Sequence, residues 1–329
     1  MILNHKFLLL TAFAICLFGT TSCEKDDQDI APSIASIAVT NADFSTLEGA
    51  AIQGGVAVVL SNPNPGDPSG DYTVFAPTNA AFARLGLNSE SDLAVLNDAF
   101  LTNTLLYHVS NGNLIGNTIA AGGKSGSVLG PDRRFVQRGA DLYINGSKIL
   151  ATDVQAENGT VHVIDKVLLA TGVDIVQSAL ALTDSKVFVT PELTFLVEAL
   201  VYTDLVGALV AAPGSPSFTV FAPTDAAFKQ LGVDLGMALN IPADIRKLPK
   251  ETVAAVLLNH VVADGGKFSS EMNGGLIAPL GGVSITLGAF TNGTLTIKGN
   301  GNSMPANMVI PDVQTTNGVV HVIDRVLLP

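Results

Sequence analysis

Residues 73–82 read TVFAPTNAAF, and residues 219–228 read TVFAPTDAAF. Nine of the ten positions agree, so the chain reads as one structural unit written twice. Two further echoes fall in the same order. LLYHV at 105–109 answers LLNHV at 257–261, and NGTVHVIDKVLL at 158–169 answers NGVVHVIDRVLL at 317–328. The offset between copies grows from 146 residues at the opening stretch to 152 at the central histidine and 159 at the closing stretch. The second copy therefore holds 6 extra residues before His260 and 7 after it, as insertions in surface loops would.

The opening stretch has a local logic. Tyr72 to Phe75 are β-forming, and Pro77 stops the run because it has no N–H to give a ladder and biases Ala76 away from the helical region. Thr78 or Asn79 then caps a short helix from about Ala80 to Leu85, ended by Gly86. Upstream, Ile34 to Leu60 is compatible with one or two amphipathic helices broken at Gly54-Gly55, and SNPNPGDPSGD at 61–71 is an exposed loop. Asp92 to Val109 keeps helical spacing and includes Tyr107 and His108. Short β runs follow at 127–129, 134–137, 142–144, 148–151 and 161–169.

The second copy repeats this order, with opening helical residues from Leu193 to Leu209, a Pro/Gly/Ser loop at 211–217 and a helix over 252–262 bearing His260. Its strands are expected at 283–287, 294–297 and 319–328. Helices first and strands after predicts an α+β fold with an antiparallel or mixed sheet, not βαβ repetition. The boundaries follow as 34–170 and 171–329, 137 and 159 residues, each large enough for its own core. The link at 171–174 is short enough that the two domains are expected to touch.

Residues 1–22 place Lys6 before an apolar run from Phe7 to Phe18, then small residues up to Cys23. This resembles a bacterial lipoprotein signal in which Cys23 becomes the lipidated first residue. EKDD at 24–27 is similar to the acidic surface-export signal of Bacteroidota lipoproteins. An ordinary secretory signal is the alternative. Residues 23–33 then form an acidic tether, and the expected location is the outer membrane, lipid-anchored and facing the cell surface, with a periplasm-facing anchor as the other arrangement. With Lys6 removed from 17 basic residues, the mature chain sets 16 of them against 29 acids, a net charge of about −13 that repels phosphate backbones and excludes nucleic acid as a partner. Cys16 leaves with the signal, so the mature chain has no disulfide.

Candidate chemistry is sparse. Outside the signal the histidines are His108, His162, His260 and His321, all at repeat-equivalent positions. No H-E-x-x-H, cysteine cluster, nucleophile elbow or dinucleotide fingerprint accompanies them, so neither a metal nor a cofactor is expected and the chain is not read as an enzyme. GGKS at 122–125 lacks the leading glycine of a phosphate loop, since position 118 is Thr, and is read as a turn. In VHVID the period of two sends His162 and Asp165 to opposite faces, which disfavours a local dyad. Asp165 and Asp324 are read as satisfied sheet-edge or turn carboxylates, and Phe75, Phe82, Phe221 and Phe228 as core anchors.

Taken together, FAPT[ND]xAF, the midway Tyr-His or Asn-His pair and NGxVHVID[KR]VLL resemble the fasciclin (FAS1) domain, twice over nearly the whole mature chain. The resemblance implies a wedge-shaped β-sheet core flanked by helices, in extracellular or surface-anchored proteins that mediate adhesion. It also implies binding positions at an Asp-Ile pair before the closing box and around the Tyr-His pair. These map onto Asp153 and Val154, Asp312 and Val313, Tyr107 and His108, and His260. The second copy has Asn259 in place of the tyrosine, and Gln155 and Gln314 replace an apolar residue of the animal motifs, which argues against an integrin partner. The expectation is a non-catalytic surface lipoprotein that binds extracellular protein or polysaccharide and touches the membrane through its anchor alone. The alternative is an envelope ligand- or glycan-binding lipoprotein that serves an uptake system.

Overall fold

A computed structural model describes residues 31–183, 193–210 and 217–329. The signal, Cys23, most of the 23–33 tether and nearly all of the 211–217 loop lie outside the described residues. In the first repeat, α1 (Ile34–Thr40), α2 (Ser45–Gln53) and α3 (Ala57–Leu60) precede β1 (Tyr72–Pro77). Then come α4 (Asn79–Ala83), α5 (Glu90–Leu93), α6 (Asp98–Tyr107), β2 (Val109–Asn111), β3 (Lys124–Gly126), β4 (Asp132–Arg138), β5 (Asp141–Ile144), β6 (Ser147–Ala156) and β7 (Gly159–Ile164). A two-residue strand, β8 (Leu169–Ala170), ends the repeat.

The second repeat runs α7 (Ile175–Leu182), α8 (Thr194–Tyr202), β9 (Phe218–Pro223), α9 (Asp225–Asp234), α10 (Lys250–Leu258) and β10 (Val261–Val262). It closes with β11 (Gly275–Ile277), β12 (Ile285–Leu287), β13 (Thr296–Lys298), β14 (Ala306–Thr315) and β15 (Gly318–Ile323).

The two stretches that repeat most faithfully lie side by side. β1 pairs in parallel with β7, Phe75 opposite His162, and β9 pairs in parallel with β15, Phe221 opposite His321. The first sheet has the order β2-β1-β7-β6-β5-β4-β3, and the second β10-β9-β15-β14-β13-β12-β11; the other pairings along both paths are antiparallel. This is the mixed α+β arrangement expected, helices packed on a nearly closed sheet in each domain. Alternation along β1 explains why the motif is so constrained. Val74 and Ala76 face the helices, while Phe75 turns to the other side with Phe135, Ile144 and Ile164. All four box phenylalanines are buried.

Polar residues of the boxes tie helices to sheet. Thr78 accepts from Ala81 N–H and Thr224 from Ala227 N–H, as N-caps. Asn79 accepts from Thr46 N–H at 2.9 Å, and Asp225, the one differing position of the box, accepts from Phe195 N–H at 3.0 Å. Asn158 accepts from Ile34 N–H and donates to the Leu60 carbonyl. Asn317 does the same with Ile175 and Leu209.

Several boundaries differ from the sequence reading. The helix expected over 92–109 is two, since one ends at Leu93 and Asn97 caps the next by accepting from Ala99 and Phe100 N–H. Helix α10 ends at Leu258, so His260 follows the helix instead of riding on it. The β run expected at 127–129 sits at 124–126, and the closing strands stop at Ile164 and Ile323. The 61–71 loop is anchored by Asn64, which is buried and donates to the Asp71 carbonyl and to Asn111. Of the tether, Pro32 already accepts from Glu157 N–H and Ser33 caps α1. No helix among the described residues is long and apolar enough to cross a membrane.

Candidate functional site

The histidines are structural pairs. His108 Nδ1 lies 2.7 Å from the Thr104 carbonyl and its Nε2 accepts from Leu168 N–H at 2.9 Å; His260 repeats this with Val256 at 2.7 Å and Leu327 at 2.8 Å. One ring nitrogen donates while the other accepts, which requires the neutral ring. Burial pulls both pKa values down to about 4. His162 and His321 form the second pair. Each accepts a backbone N–H at Nδ1, from Asp153 at 3.3 Å and Asp312 at 3.1 Å, and faces a carbonyl with Nε2, from Leu114 and Lys267. Burial lowers both of these pKa values as well. Asp165 and Asp324 are satisfied by backbone N–H groups of Lys148 and Asn307, away from any histidine.

The bond from Asp to His shapes the loop before each closing strand. β6 and β14 both carry register shifts ahead of Val154 and Val313, and Asp153 and Asp312 sit in these bulges at φ +62° and +68°. Each aspartate folds its carboxylate back to accept a backbone N–H at 2.6 Å, from Gly116 in one copy and Ser269 in the other. The left-handed conformation is tolerable for Asp, whose short polar side chain bonds locally.

From this common geometry the copies diverge. Asp153 is exposed. Asp312 is buried and receives Lys166 Nζ of the first domain at 2.6 Å, together with Ser269 Oγ at 2.7 Å. Lys166 Nζ also donates to the Gly293 carbonyl at 2.7 Å. Beside this pair β8 adds in parallel to β14, Leu169 opposite Val313 and Ala170 opposite Gln314.

More of the first domain's cations point the same way. Arg134 donates to the Gly266 carbonyl, pairs with Glu271 at 3.1 Å and lies over the Phe268 ring. Arg138 donates to the Ser270 and Met272 carbonyls and covers Phe290, whose ring also meets Tyr143 edge-on. Burial raises the pKa of Glu271 despite Arg134. Tyr107, buried and with its pKa raised by that burial, hydrogen-bonds Gln314 of the second domain and accepts from Asn145 Nδ2 at 2.5 Å. The touching expected from the short link is therefore an ionic and strand-paired seam.

The two pre-box positions implied by the resemblance are thus not equally accessible. Asp312 and Val313 are enclosed in the seam, Tyr107 faces into it, and His108 and His260 hold the backbone ahead of Leu168 and Leu327. Of the residues singled out, Asp153 is at the surface and Val154 is half-buried beside it. Sequence reading missed Lys166, Arg134, Arg138 and Ser269. Lys166 reads as a local partner of Asp165, and nothing in its own repeat points to a carboxylate 146 residues away.

A sequence profile of the Fasciclin domain matches residues 42–170 and 191–329. Protein sll1483 of Synechocystis sp. is 35% identical over 142 residues, covering 43% of this chain and 75% of that protein. Human periostin is 29% identical over 266 residues, covering 79% of this chain but 28% of periostin, so the chain spans well under a third of that relative. Among solved structures, a FAS1 domain pair from the insect cell adhesion molecule fasciclin I aligns with 79% of this chain and 89% of its own at 20% identity and a TM-score of 0.38. With both boxes paired side by side within each sheet and the profile matching both repeats, the chain belongs to the fasciclin domain family, as two tandem copies.

Proposed function

We propose that this protein is a non-catalytic adhesion or matrix-binding lipoprotein, anchored through Cys23 at the outer surface and touching extracellular protein or polysaccharide through its first domain. The observation that carries this reading is the divergence of the two pre-box aspartates, since Asp312 is consumed by the seam while Asp153 keeps the same shape in the open. The seam holds the two domains as one body, so the exposed edge is presented at a fixed orientation. The test compares attachment of whole cells, or of the purified protein to matrix and glycan arrays, before and after Asp153→Asn. Asparagine accepts the Gly116 N–H and tolerates positive φ, so loss of attachment would report contact and not misfolding; unchanged attachment would remove Asp153 from the proposal.

One observation bears on the uptake reading. Each domain has an apolar cavity between its first helices and its sheet, about 80 Å³ under α1 and α2 and about 50 Å³ under α7 and α8, with His108 and His260 at equivalent places in the lining. Pockets for small-molecule ligands run to about 300–1,000 Å³, so these volumes favour adhesion.

A further inference from the structure

We propose that the cleft where the first domain's α4 end meets the β12–β13 turn of the second domain binds a small organic carboxylate with a short apolar body, of the kind represented by hexanoate. The site is independent of Asp153 and goes beyond the adhesion reading. The cleft holds about 280 Å³, several times the cavity under the helices of either domain. At about 30 Å³ for each water-sized group this is room for about nine of them, which suits a small acid and not a saccharide chain.

One end of the cleft gathers hydrogen-bond donors. Asn292 and Gly293, at φ +52° and +78°, make a tight turn closed by Thr291 and Thr294, whose backbones bond each other in both directions. Two cations of the first domain lie at this turn, since a Cβ on Gly293 would stand 3.4 Å from Lys166 Nζ and 3.5 Å from Arg84 Nη1. Lys166 is fully engaged, by Asp312 at 2.6 Å, the Gly293 carbonyl at 2.7 Å and Ser269 Oγ at 3.4 Å. Arg84 is not. Among the described residues it donates to the Asn292 carbonyl at 3.3 Å, and Asp165 stands off at 3.5 Å, where a charge-assisted bond is about 2.7–2.9 Å. A guanidinium carries a fork of N–H donors that matches a carboxylate, so most of that fork is available to a ligand.

Thr294 is a second, separate pointer. Its hydroxyl is enclosed and has no hydrogen-bond partner among the described residues, and Thr294 lines the cleft with Arg84. Buried hydroxyls are nearly always partnered, so this one calls for an oxygen to meet it. Asp165 and Asp312 offset Arg84 and Lys166 in net charge, so selection rests on the directed donors of Arg84 and Thr294. The other walls are apolar and come from both domains: Leu85, Val167 and Leu169 from the first, Met308, Val309 and Pro311 from the second. Val309 is 43% exposed, and an apolar body laid on it removes that surface from water. Apolar walls with a few convergent polar groups are the make-up of a small-molecule site. Because its walls belong to two domains, a bound acid ties them together.

The test titrates hexanoate into the isotopically labelled purified protein and follows its backbone amide signals. Saturable shifts at Arg84, Thr294 and Val309 are expected, with a dissociation constant raised at least about fivefold by Arg84→Gln and at least about threefold by Thr294→Val. Hexanol in place of hexanoate should bind at least about fivefold more weakly. Thr294→Val should leave the denaturant midpoint of the unliganded protein equal or higher, because the hydroxyl it removes has no partner to lose. Absence of shifts at these residues at tens of millimolar hexanoate, equal affinity in Arg84→Gln, or equal affinity for hexanol overturns the site. A fall in midpoint for Thr294→Val means that its hydroxyl is already partnered, and overturns its role as a ligand donor. Shifts at Ile37 or Ser178 in place of Thr294 put the acid in the cavities under the helices and overturn the proposal as well.

Discussion

Lys166 and Asp312 meet across the domain seam at 2.6 Å, with side chains 9% and 7% exposed. Every polar atom in the pair has further work. Lys166 donates to the Gly293 carbonyl, and Asp312 accepts from both the N–H and the hydroxyl of Ser269. Burying two ions is costly in solvation and roughly breaks even when each is fully hydrogen-bonded, whereas removing one partner strands the other. Replacing Lys166 by Met, or Asp312 by Asn, which keeps an acceptor for Ser269 N–H and tolerates the positive φ, is therefore expected to cost about 3–5 kcal/mol, read as a fall in the denaturant midpoint. The double replacement should recover most of that. If the double variant is as unstable as the sum of the singles, the pair is not acting as a unit.

Arg138 spreads its guanidinium over Phe290 while donating to the Ser270 and Met272 carbonyls, at 2.9 and 2.6 Å. Lys is a poor substitute because an ammonium cannot stack flat and fork to two acceptors at once. Arg138→Lys should loosen the seam measurably. The expected readout is faster amide exchange at Ser270 and Met272, with the core strands β1 and β7 unchanged. Slowed or equal exchange at those two residues would deny Arg138 a role in the seam.

Much of this molecule is legible in the repeats, and the reason is physical. The boxes are two paired interior strands of each sheet, and Phe75, His162 and their counterparts are fully buried and admit little change. The strand-to-helix corner at Pro77 and Thr78 follows from local chemistry alone. What was not legible is everything that breaks the symmetry of the repeats. Asp153 and Asp312 are each followed by Val-Gln and share the same positive φ, yet one is exposed and the other enclosed, because the end of the first domain packs on Asp312. Arg134 and Arg138 lie on a strand whose period of two identifies a face but not what covers it. The split of the 92–109 helix turned on the capping role of Asn97, which helical spacing of the apolar residues concealed.

Gly146 offers a cleaner cut at the seam. It has φ +82°, and a Cβ there would fall inside the Asp312 carboxylate. Gly139, at φ +60°, has open space where its Cβ would go, so Gly139→Ala reports the cost of positive φ alone, about 1–2 kcal/mol. Gly146→Ala should cost more than that and shift the small-angle scattering profile toward a longer particle, as the two domains part. Equal stability loss in the two variants, with unchanged scattering, would show that the seam accommodates the methyl group.

Acid should destabilise the fold through its buried histidines, and the sign follows from where the protons go. His108 and His260 have folded pKa values near 4, below the ordinary value of 6.5, because burial penalises the charged ring and each ring must keep one nitrogen free to accept from Leu168 or Leu327. The unfolded chain therefore takes up protons first. The stability these rings contribute is complete above pH 6.5 and is lost as the pH falls toward 4, by about 1.4 kcal/mol per unit for each ring. Between pH 7 and 4.5 the denaturant midpoint should fall, and His108→Gln should flatten that slope even though the variant starts less stable at pH 7. Gln keeps a donor for the Thr104 carbonyl but cannot titrate, so the change in slope isolates protonation from lost packing. Parallel slopes for the two proteins across this window would mean that His108 is not a source of the acid sensitivity.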